Sequence, residues 1–339
     1  MLIGLTYDLR DEYLSMGYSE EDTAEFDRED TIISIENALT SLGYQTDRIG
    51  HVMNLVQRLS RGDRWDIVFN IAEGLYGSGR EAQVPALLDA YCIPYVFSGP
   101  LVLALTLDKA LTKIIMRDAG VATPDHVVVY SIDDIKGINM PFPLFAKPLA
   151  EGTGKGINPD SVITSPEQLE RICSNLLAQY HQPVLVEKYL SGREFTAGIV
   201  GTGDKAKCVG VMEIILKDNA EKGVYSYVNK EECEERIIYT LTDKEAVDAC
   251  SALALKAWRA IRAEDAGRVD IRFDEHGKAH FLEVNPLAGI HPEHSDLPIL
   301  AGLNGIPYLS LMKMIMDSAV EKTRNRNYVR NTAANKSNV

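Results

Sequence analysis

Short apolar runs alternate with amphipathic stretches over the first third of the chain. Apolar runs typical of strands occupy 2–7, 44–49, 66–70 and 94–97, and helical periodicity is strongest near 30–42 and 81–91. Strands that alternate with helices favour a parallel sheet covered by helices. A helix predicted over 106–120 ends at a glycine, and a new strand begins after Pro124. We therefore place a domain boundary at residue 122.

The pattern changes twice beyond this boundary. Residues 123–192 form a small α/β unit with a glycine-rich stretch at 147–156, and over 193–322 the strands lengthen and follow one another as antiparallel hairpins do. Helices are predicted over 243–262 and near 306–320. Residues 323–339 are polar and basic and are expected to be a flexible tail. The fold class is therefore α/β, with a parallel N-terminal domain (1–122), a small central domain and a C-terminal α+β domain with an antiparallel sheet.

One segment interrupts the early alternation. Between residues 8 and 30 lie ten acidic side chains with little apolar periodicity. A solvated loop is the simpler interpretation, and a mobile cover over a ligand is the alternative.

Charge and cysteine usage narrow the class of protein. Among 339 residues, 35 are Lys or Arg and 49 are Asp or Glu, so the net charge is −14 and a nucleic-acid partner is disfavoured. Five scattered cysteines without metal-binding spacing favour free thiols and a cytoplasmic location. We expect no secretion and no membrane partner, because the chain starts directly with a strand and no apolar run approaches about 18 residues.

The strongest candidate chemistry lies in a predicted hairpin at 267–286. With a two-residue turn at His276-Gly277, Asp270 stands opposite Glu283. Asn285 shares their face, because side chains alternate along a strand. Two carboxylates and an amide oxygen suit Mg²⁺ that also holds phosphates, and Arg268 lies on the same face. The alternative is an exposed polar face with ordinary charge pairs.

Two further patterns precede this hairpin. Lys147 ends a strand and is followed by small residues, which offers backbone N–H groups and a cation to a phosphate chain. A plain flexible turn is the alternative, and neither a Walker A nor a dinucleotide-binding pattern is present. Residues 184–190 form an apolar strand that ends in charge and could border a purine pocket, with Glu194 accepting hydrogen bonds from ribose.

In this order the motifs resemble those of the ATP-grasp enzymes, and within them the D-alanine:D-alanine ligase family. The resemblance runs from about residue 65 to 312, and its most specific parts are 93–99, 107–113, 187–196, 267–270 and 282–285. It implies an ATP-grasp fold and a ligase that joins a carboxylate to an amine through an acyl phosphate.

The resemblance also implies roles for individual residues. ATP would be held by Lys109, Lys147, Gly152, Glu187, Lys188, Leu190, Glu194 and, from a mobile loop, Lys230. Two Mg²⁺ ions, for which Mn²⁺ is a possible substitute, would be bound by Asp270, Glu283 and Asn285. Arg268 and the Gly289 backbone would stabilise the oxyanion of the tetrahedral intermediate.

The amino-acid half departs from the family. Matching by spacing places Asp27, Thr153 and Glu231 where the family holds the first substrate's ammonium with Glu, Ser and Tyr. Glu73 stands where the family has a histidine. His294-Ser295 remains where the second substrate's carboxylate is expected. These departures leave D-alanine specificity open.

Three functions remain from the sequence. The first is D-alanyl-D-alanine synthesis for peptidoglycan of the bacterial cell wall, and the second is ligation of other amino acids or small acids. The third, of another class, is a nucleotide-binding regulatory module without catalysis, which the retained hairpin residues argue against. The partners are then small-molecule amino acids, and the protein is expected to be a homodimer.

Overall fold

Three β-sheets succeed one another along the chain and organise the fold. The computed structural model describes residues 1–336, with side chains for residues 1–324. The first sheet is wholly parallel in the order β2-β1-β3, the second has the order β4-β7-β5-β6, and the third has the order β10-β9-β8-β11-β12. The α/β class predicted from the alternation of elements is confirmed.

The first sheet is built from strands close to those predicted, β1 (Leu2–Thr6), β2 (Gln45–Gly50) and β3 (Ile67–Asn70). The predicted strand at 94–97 is wrong in extent, because it pairs with β3 only through one parallel bridge between Tyr95 and Val68. The helices of this region are α1 (Arg10–Ser15), α2 (Glu29–Ser41), α3 (Val52–Ser60), α4 (Gln83–Ala90), α5 (Pro100–Leu107) and α6 (Lys109–Asp118). The helix predicted over 106–120 is therefore broken at Asp108, whose side chain caps α6 by accepting from Leu111 N–H at 2.9 Å.

The second sheet is small and antiparallel. Its strands are β4 (His126–Val129), β5 (Leu144–Pro148), β6 (Val162–Ile163) and β7 (Val184–Lys188), and one helix, α7 (Pro166–Tyr180), packs against it. The glycine-rich loop leaves the sheet directly after β5. In the antiparallel register Glu187 stands opposite Phe145, two residues from Lys147, so Lys147 and Glu187 lie diagonally on the same face of the sheet.

The third sheet is antiparallel throughout. Its strands are β8 (Glu194–Val200), β9 (Lys207–Leu216), β10 (Ile237–Thr240), β11 (Ala266–Phe273) and β12 (Ala279–Asn285). Its helices are α8 (Tyr227–Glu231), α9 (Cys233–Arg236), α10 (Lys244–Ala260), α11 (Asp296–Leu303) and α12 (Tyr308–Lys336). One face of the sheet packs on α10, and the other carries α11 and the polar side chains of the candidate site.

The terminal helix extends into the stretch that the sequence predicts to be a tail. α12 runs on through Lys336, and Lys322, placed at the start of the basic tail by sequence, is buried. Its Nζ lies 2.5 Å from the buried Asp265 carboxylate and donates to the Phe97 carbonyl at 2.7 Å. The helix is therefore fixed to both the first and the third regions of the chain. Residues 337–339 of the predicted tail lie outside the described residues.

Within residues 1–336 no single helix is both long and apolar enough to span a membrane. One bent pair, Asp296–Leu303 with Tyr308–Arg324, meets that test on length and composition alone.

Candidate active site

The hairpin of β11 and β12 sets the geometry of the site. Asp270 pairs with Glu283 and Arg268 with Asn285, which confirms the predicted facing pairs. The predicted two-residue turn is wrong, because Asp274 N–H donates to the Lys278 carbonyl across a three-residue turn. A β-bulge between Asp270 and Ile271 takes up the extra residue and restores the pairing.

Opposite charges form close ion pairs on the site face of the β11–β12 hairpin. The Arg268 guanidinium forms an ion pair with Asp270 and lies 3.7 Å from Asp296. Burial alone would lower the Arg268 pKa, but these two carboxylates hold it above its usual range. Thr196 Oγ1 donates to Asp270 at 3.0 Å, which fixes the carboxylate from the neighbouring strand. Arg268 is therefore a permanently charged group aimed along the site face.

The acidic pair has unequal surroundings. Burial opposes ionisation of Glu283, yet Lys109, Lys147 and Lys230 hold its pKa well below its usual range. Burial raises the pKa of Asp270, partly offset by Arg268. The donors that could hold a metal are these two carboxylates and the Asn285 amide, whose Nδ2 lies 3.4 Å from Asp270. Among residues with described side chains, no group of three or more His, Cys, Asp or Glu is placed to hold a metal, so such a site needs the amide oxygen.

Lys109 and Lys147 enter the site from two different elements. Lys109 is the first residue of α6, and its Nζ lies 3.5 Å from Glu283 and donates to the Glu151 carbonyl at 2.5 Å. Lys147 lies 3.0 Å from Glu187. Glu187, predicted to border adenine, is almost wholly buried beside Lys147.

The buried Glu187 also holds a lysine that the sequence did not single out. Lys113 Nζ lies 2.9 Å from Glu187 and is fully buried. Burial opposes ionisation of Glu187, but the two lysines lower its pKa to about 2. Burial lowers the pKa of Lys113 to about 8, against the pull of Glu187. The carboxylate therefore positions Lys147 from below.

A narrow cleft of about 80 Å³ lies between the second and third sheets. Apolar and aromatic side chains line it together with the predicted ATP residues, namely Phe145, Ile157, Tyr189, Leu190, Tyr225 and Leu282 beside Lys109, Lys147, Glu187, Lys188, Glu194 and Lys230. Glu194 pairs with Arg272 at 3.2 Å, and Lys188 pairs with Glu275 at 2.9 Å at the rim. Lys230 belongs to the short helix α8 and lies over the Tyr225 ring. The cleft therefore has an apolar lining, with positively charged side chains at one end.

The glycine-rich loop is tightly bounded on two sides. A Cβ at Gly152 would come within 2.8 Å of Glu25 Oε1, and a Cβ at Gly154 within 2.9 Å of the Tyr227 backbone nitrogen. Gly154 and Thr153 both have positive φ, +77° and +48°. Thr153 Oγ1 is buried without a hydrogen-bond partner. A polar ligand in the adjoining cavity would satisfy that hydroxyl.

The carboxylate that contacts the glycine-rich loop is Glu25, and Asp27, predicted to hold the first substrate, lines the cavity. Gly152 N–H donates to Glu25 Oε1 at 2.6 Å, and Arg80 holds Oε2 at 2.7 Å. Asp27 and Thr153 line the same cavity as Glu231, but no hydrogen bond or ion pair joins these three among the described residues. Ten acidic residues crowd this segment, so spacing does not predict that Glu25 is the one that contacts the loop.

A large cavity of about 770 Å³ opens on the other side of the hairpin. It is lined by the remaining predicted substrate and catalytic residues, Asp27, Glu73, Thr153, Glu231, Arg268, Asn285, Gly289, His294 and Ser295. Glu231 lies 3.7 Å from Arg10, and His294 stacks on His291 at 4.6 Å. Ser295 Oγ accepts from His291 N–H at 3.0 Å. The acidic segment also lines this cavity at 24–28, which favours its interpretation as a cover.

The cleft and the cavity meet at four side chains. Lys109, Glu151, Lys230 and Glu283 line both. A phosphate chain lying in the cleft would end among two lysines at this junction, and a second ligand in the cavity would face its end. The junction is therefore the place where two ligands can react.

Several functional residues were missed by sequence reasoning. These are Glu25, Arg80, Glu81, Lys113, Arg272 and Asp296, each of which contacts or lines the site. Arg272 alone carried a usable signal, because strand alternation places it on the face of Arg268 and Asp270. The others reach the site through turns and helices whose register no short pattern indicates.

Comparison with known proteins agrees with this geometry. The family model described as D-ala D-ala ligase C-terminus matches residues 115–317. A D-alanine--D-alanine ligase of Aquifex aeolicus is 31% identical over 287 residues, which cover 84% of this chain and 92% of the relative. An uncharacterized protein of Sinorhizobium fredii is 30% identical over 264 residues, covering 75% of this chain and 74% of the relative. The crystal structure of D-alanine--D-alanine ligase from Bacillus anthracis complexed with ATP matches with a TM-score of 0.71, at 22% identity over 96% of this chain and 99% of that one.

The fold and the paired ligand spaces define an ATP-grasp ligase, which confirms the predicted class. Within that class the chain belongs to the D-Ala D-Ala ligase family.

Proposed function

We propose that the chain forms a peptide bond between two amino acids at the expense of ATP, with D-alanine and D-alanine as the substrate pair that its named relatives indicate. The observation that carries the proposal is the junction of cleft and cavity at Lys109, Glu151, Lys230 and Glu283. A binding module without catalysis would not need a second ligand space in line with the phosphates.

The residues divide the reaction into two stages. A substrate carboxylate attacks the γ-phosphate to give an acyl phosphate and ADP, and Lys109, Lys147 and Lys230 neutralise charge on the phosphates. The amine of the second amino acid then attacks the acyl carbon, and inorganic phosphate leaves. Arg268 and the Gly289 N–H face this step from the cavity and stabilise the oxyanion.

The site also fits Mg²⁺. Asp270, Glu283 and Asn285 present hard oxygen donors from adjacent strands, and the Asp270–Glu283 pairing places them opposite one another. When bound, two such ions, or Mn²⁺ in their place, would neutralise charge on the transferring phosphoryl group. In this structure Asp270 pairs with Arg268, and Glu283 pairs with Lys109.

Release of ADP and phosphate tests the proposal. The full chain is incubated with ATP, Mg²⁺ and D-alanine, and product dipeptide is measured beside phosphate. We expect dipeptide and phosphate in equal amounts. Phosphate release without a dipeptide, over D- and L-amino acids singly and in pairs, would contradict a ligase.

Ligation of a different amino acid is the second candidate. The cavity wall carries Glu73 where the family has histidine, so an acidic group replaces an imidazole at this position. This observation favours an acid or amine substrate other than D-alanine. A panel of amino acids with the same phosphate assay separates the two candidates.

The cellular setting follows from the chemistry. We infer a cytoplasmic protein, because all five cysteines are free and ATP is a cytoplasmic substrate. Its product would supply peptidoglycan synthesis if D-alanine is the substrate. We further expect a homodimer, which sedimentation of the purified chain would establish.

A further inference from the structure

One wall of the large cavity is rich in carboxylates, and two of them have no ion-pair partner among the described side chains. Four carboxylates approach it, from Glu25, Asp27, Glu73 and Glu81. The strongest cation beside them is Arg80, and its guanidinium is already engaged by Glu25 Oε2 at 2.7 Å and by the Ala150 carbonyl at 3.1 Å.

A second cation nearby is shared as well. Lys155 Nζ lies 3.9 Å from Glu25 and 3.4 Å from Glu151, so it forms ion pairs with carboxylates beside the glycine-rich loop. Lys109 lies between Glu283 and the Glu151 carbonyl. Across the side chains of residues 1–324, no ion pair within 4 Å and no side-chain hydrogen bond reaches Glu73 or Glu81.

Glu73 and Glu81 are half-buried in the cavity wall. Burial raises the pKa of Glu73 well above its usual range, and Glu81 adds to that shift. Burial raises the pKa of Glu81 to about 7, against the opposing influence of Arg80. Such a pair is unstable in its charged form unless a cation comes between its members.

An unpaired hydroxyl on the same wall independently points to a polar ligand. Thr153 Oγ1 is buried, lines this cavity and has no hydrogen-bond partner. A buried hydroxyl left unpaired costs free energy, which a bound hydrogen-bonding group recovers. The cavity of about 770 Å³ is within the range of small-molecule sites.

We infer that one of the two amino acids joined by this chain carries a second cation on its side chain, an ammonium or guanidinium that lies between Glu73 and Glu81. The inference rests on the proposed ligase function, keeps one D-alanine of the proposed pair and replaces the other by a cationic amino acid. An α-ammonium alone balances one carboxylate of the wall, and a side-chain cation balances the remaining charge. An acidic substrate is excluded from this wall by repulsion.

Matched pairs of amino acids test this assignment. Phosphate release is measured with lysine against norleucine and with ornithine against norvaline, as D- and L-forms, alone and paired with D-alanine. These pairs match closely in chain length and differ in the terminal cation. We expect kcat/KM to be at least tenfold higher for the cationic member in one stereochemical form.

Substitutions of Glu73 and Glu81 test whether these residues cause the preference for a cationic substrate. Glu73→Gln and Glu81→Gln should each reduce the ratio of cationic to neutral substrate at least tenfold and leave the KM for ATP unchanged. The control is Glu234→Gln at the cavity mouth, where the side chain is 79% exposed, and it should keep the wild-type ratio. An unchanged ratio in both wall variants would overturn the assignment.

Failure of the inference and failure of the ligase proposal give different results. Turnover with D-alanine or norleucine equal to that with the cationic amino acids overturns the inference and leaves the ligase standing. If no amino acid supports phosphate release, the ligase proposal fails, and calorimetry decides the inference alone. Lysine should then bind more tightly than norleucine in the presence of a non-hydrolysable ATP analogue. Equal binding of the two overturns the inference.

Discussion

Glu283 is the acidic side chain on which most cations of the site converge. Replacing it by alanine removes a proposed metal ligand and the partner of Lys109, so charge at the transferring phosphoryl group is no longer balanced. We expect Glu283→Ala to lower the rate of phosphate release at least a hundredfold, about 2.7 kcal/mol in transition-state stabilisation. The purified variant should keep the circular-dichroism spectrum of the wild type.

A control for Glu283 lies in the same hairpin. Glu275 in the turn pairs only with the rim residues Lys188 and His276, so Glu275→Ala should leave turnover within about twofold. Retention of more than a tenth of wild-type turnover in Glu283→Ala at saturating Mg²⁺ would remove this residue from the metal site.

Lys147 offers a charge test on the nucleotide. Lys147→Met removes a point charge from the phosphate end of the cleft, and Lys113 remains to balance the buried Glu187. We expect weaker ATP binding by about tenfold, measured by calorimetry, without loss of the fold. Lys136→Met serves as the control, because that side chain is 82% exposed and pairs only with Asp133. Unchanged affinity in both Lys147→Met and Lys109→Met would contradict the assignment.

At the residue scale, the sequence predicts what strict alternation controls. Asp270, Glu283 and Asn285 were found because a strand sends every second side chain to one face. The contact of Glu25 with the glycine-rich loop is not predictable, because the turn that carries Glu25 and Asp27 has no periodicity to separate neighbouring acids. The ion pair between Glu187 and Lys113 depends on α6, a distant element, so no local pattern predicts it.

At the scale of elements, the terminal helix is predicted to be essential for stability. Lys322→Ala leaves Asp265 buried without its main cation, although Phe97 N–H and Ser318 still donate to it. Breaking one partner of a buried pair costs about 3 kcal/mol. Urea unfolding should show a loss of this size.

The same helix supplies the control. Lys313 is 61% exposed and pairs with Asp317 one turn later, so Lys313→Ala should change the free energy of unfolding by less than about 0.5 kcal/mol. Equal stability of the two variants would show that Lys322 is not an anchor.

Elements were predicted where propensity and pattern agree, and lost where tertiary contacts decide. The first three strands and the antiparallel third sheet follow the pattern closely. The segment at 94–97 stays outside the sheet ladder except at Tyr95, and α12 continues through a polar stretch whose composition indicated a tail. Neither difference has a local cause that a window of sequence could contain.

For the whole molecule, the acidic cavity wall predicts a decline in stability with rising pH. Glu81 has a folded pKa of about 7, raised by burial above its usual value, so the folded state binds more protons than the unfolded chain between about pH 4.5 and 7. Stability contributed by this group is therefore lost as the pH rises through that window. Glu81→Gln should raise the free energy of unfolding by about 1–2 kcal/mol at pH 8 and by much less at pH 4.5.

Urea unfolding at the two pH values checks this expectation. The exposed Glu234→Gln should track the wild type at both pH values. A stabilisation by Glu81→Gln that is equal at pH 4.5 and pH 8 would show that ionisation of Glu81 does not destabilise the fold.

Closure over the two ligand spaces is a second expectation for the whole molecule. The segments 10–28 and 218–232 approach one another through Arg10 and Glu231, 3.7 Å apart. An acyl phosphate needs protection from water, so both segments should become more ordered when nucleotide and substrate bind. Hydrogen exchange in these segments should slow at least several-fold with a non-hydrolysable ATP analogue and amino acid, and stay constant in α10, which packs on the opposite face of the third sheet. Equal exchange with and without ligands would contradict closure.

The bulge in the hairpin carries a consequence for how this site can change in descent. A regular strand sends neighbouring residues to opposite faces, but Leu282 and Glu283 both line the nucleotide cleft. The extra residue between the paired positions lets an apolar contact and a charged ligand sit side by side. A single inserted codon can therefore add a contact beneath the nucleotide without moving Asp270 from Glu283, and its loss restores a plain ladder. The paired carboxylates and the apolar contact made by Leu282 can therefore change independently of each other in evolution.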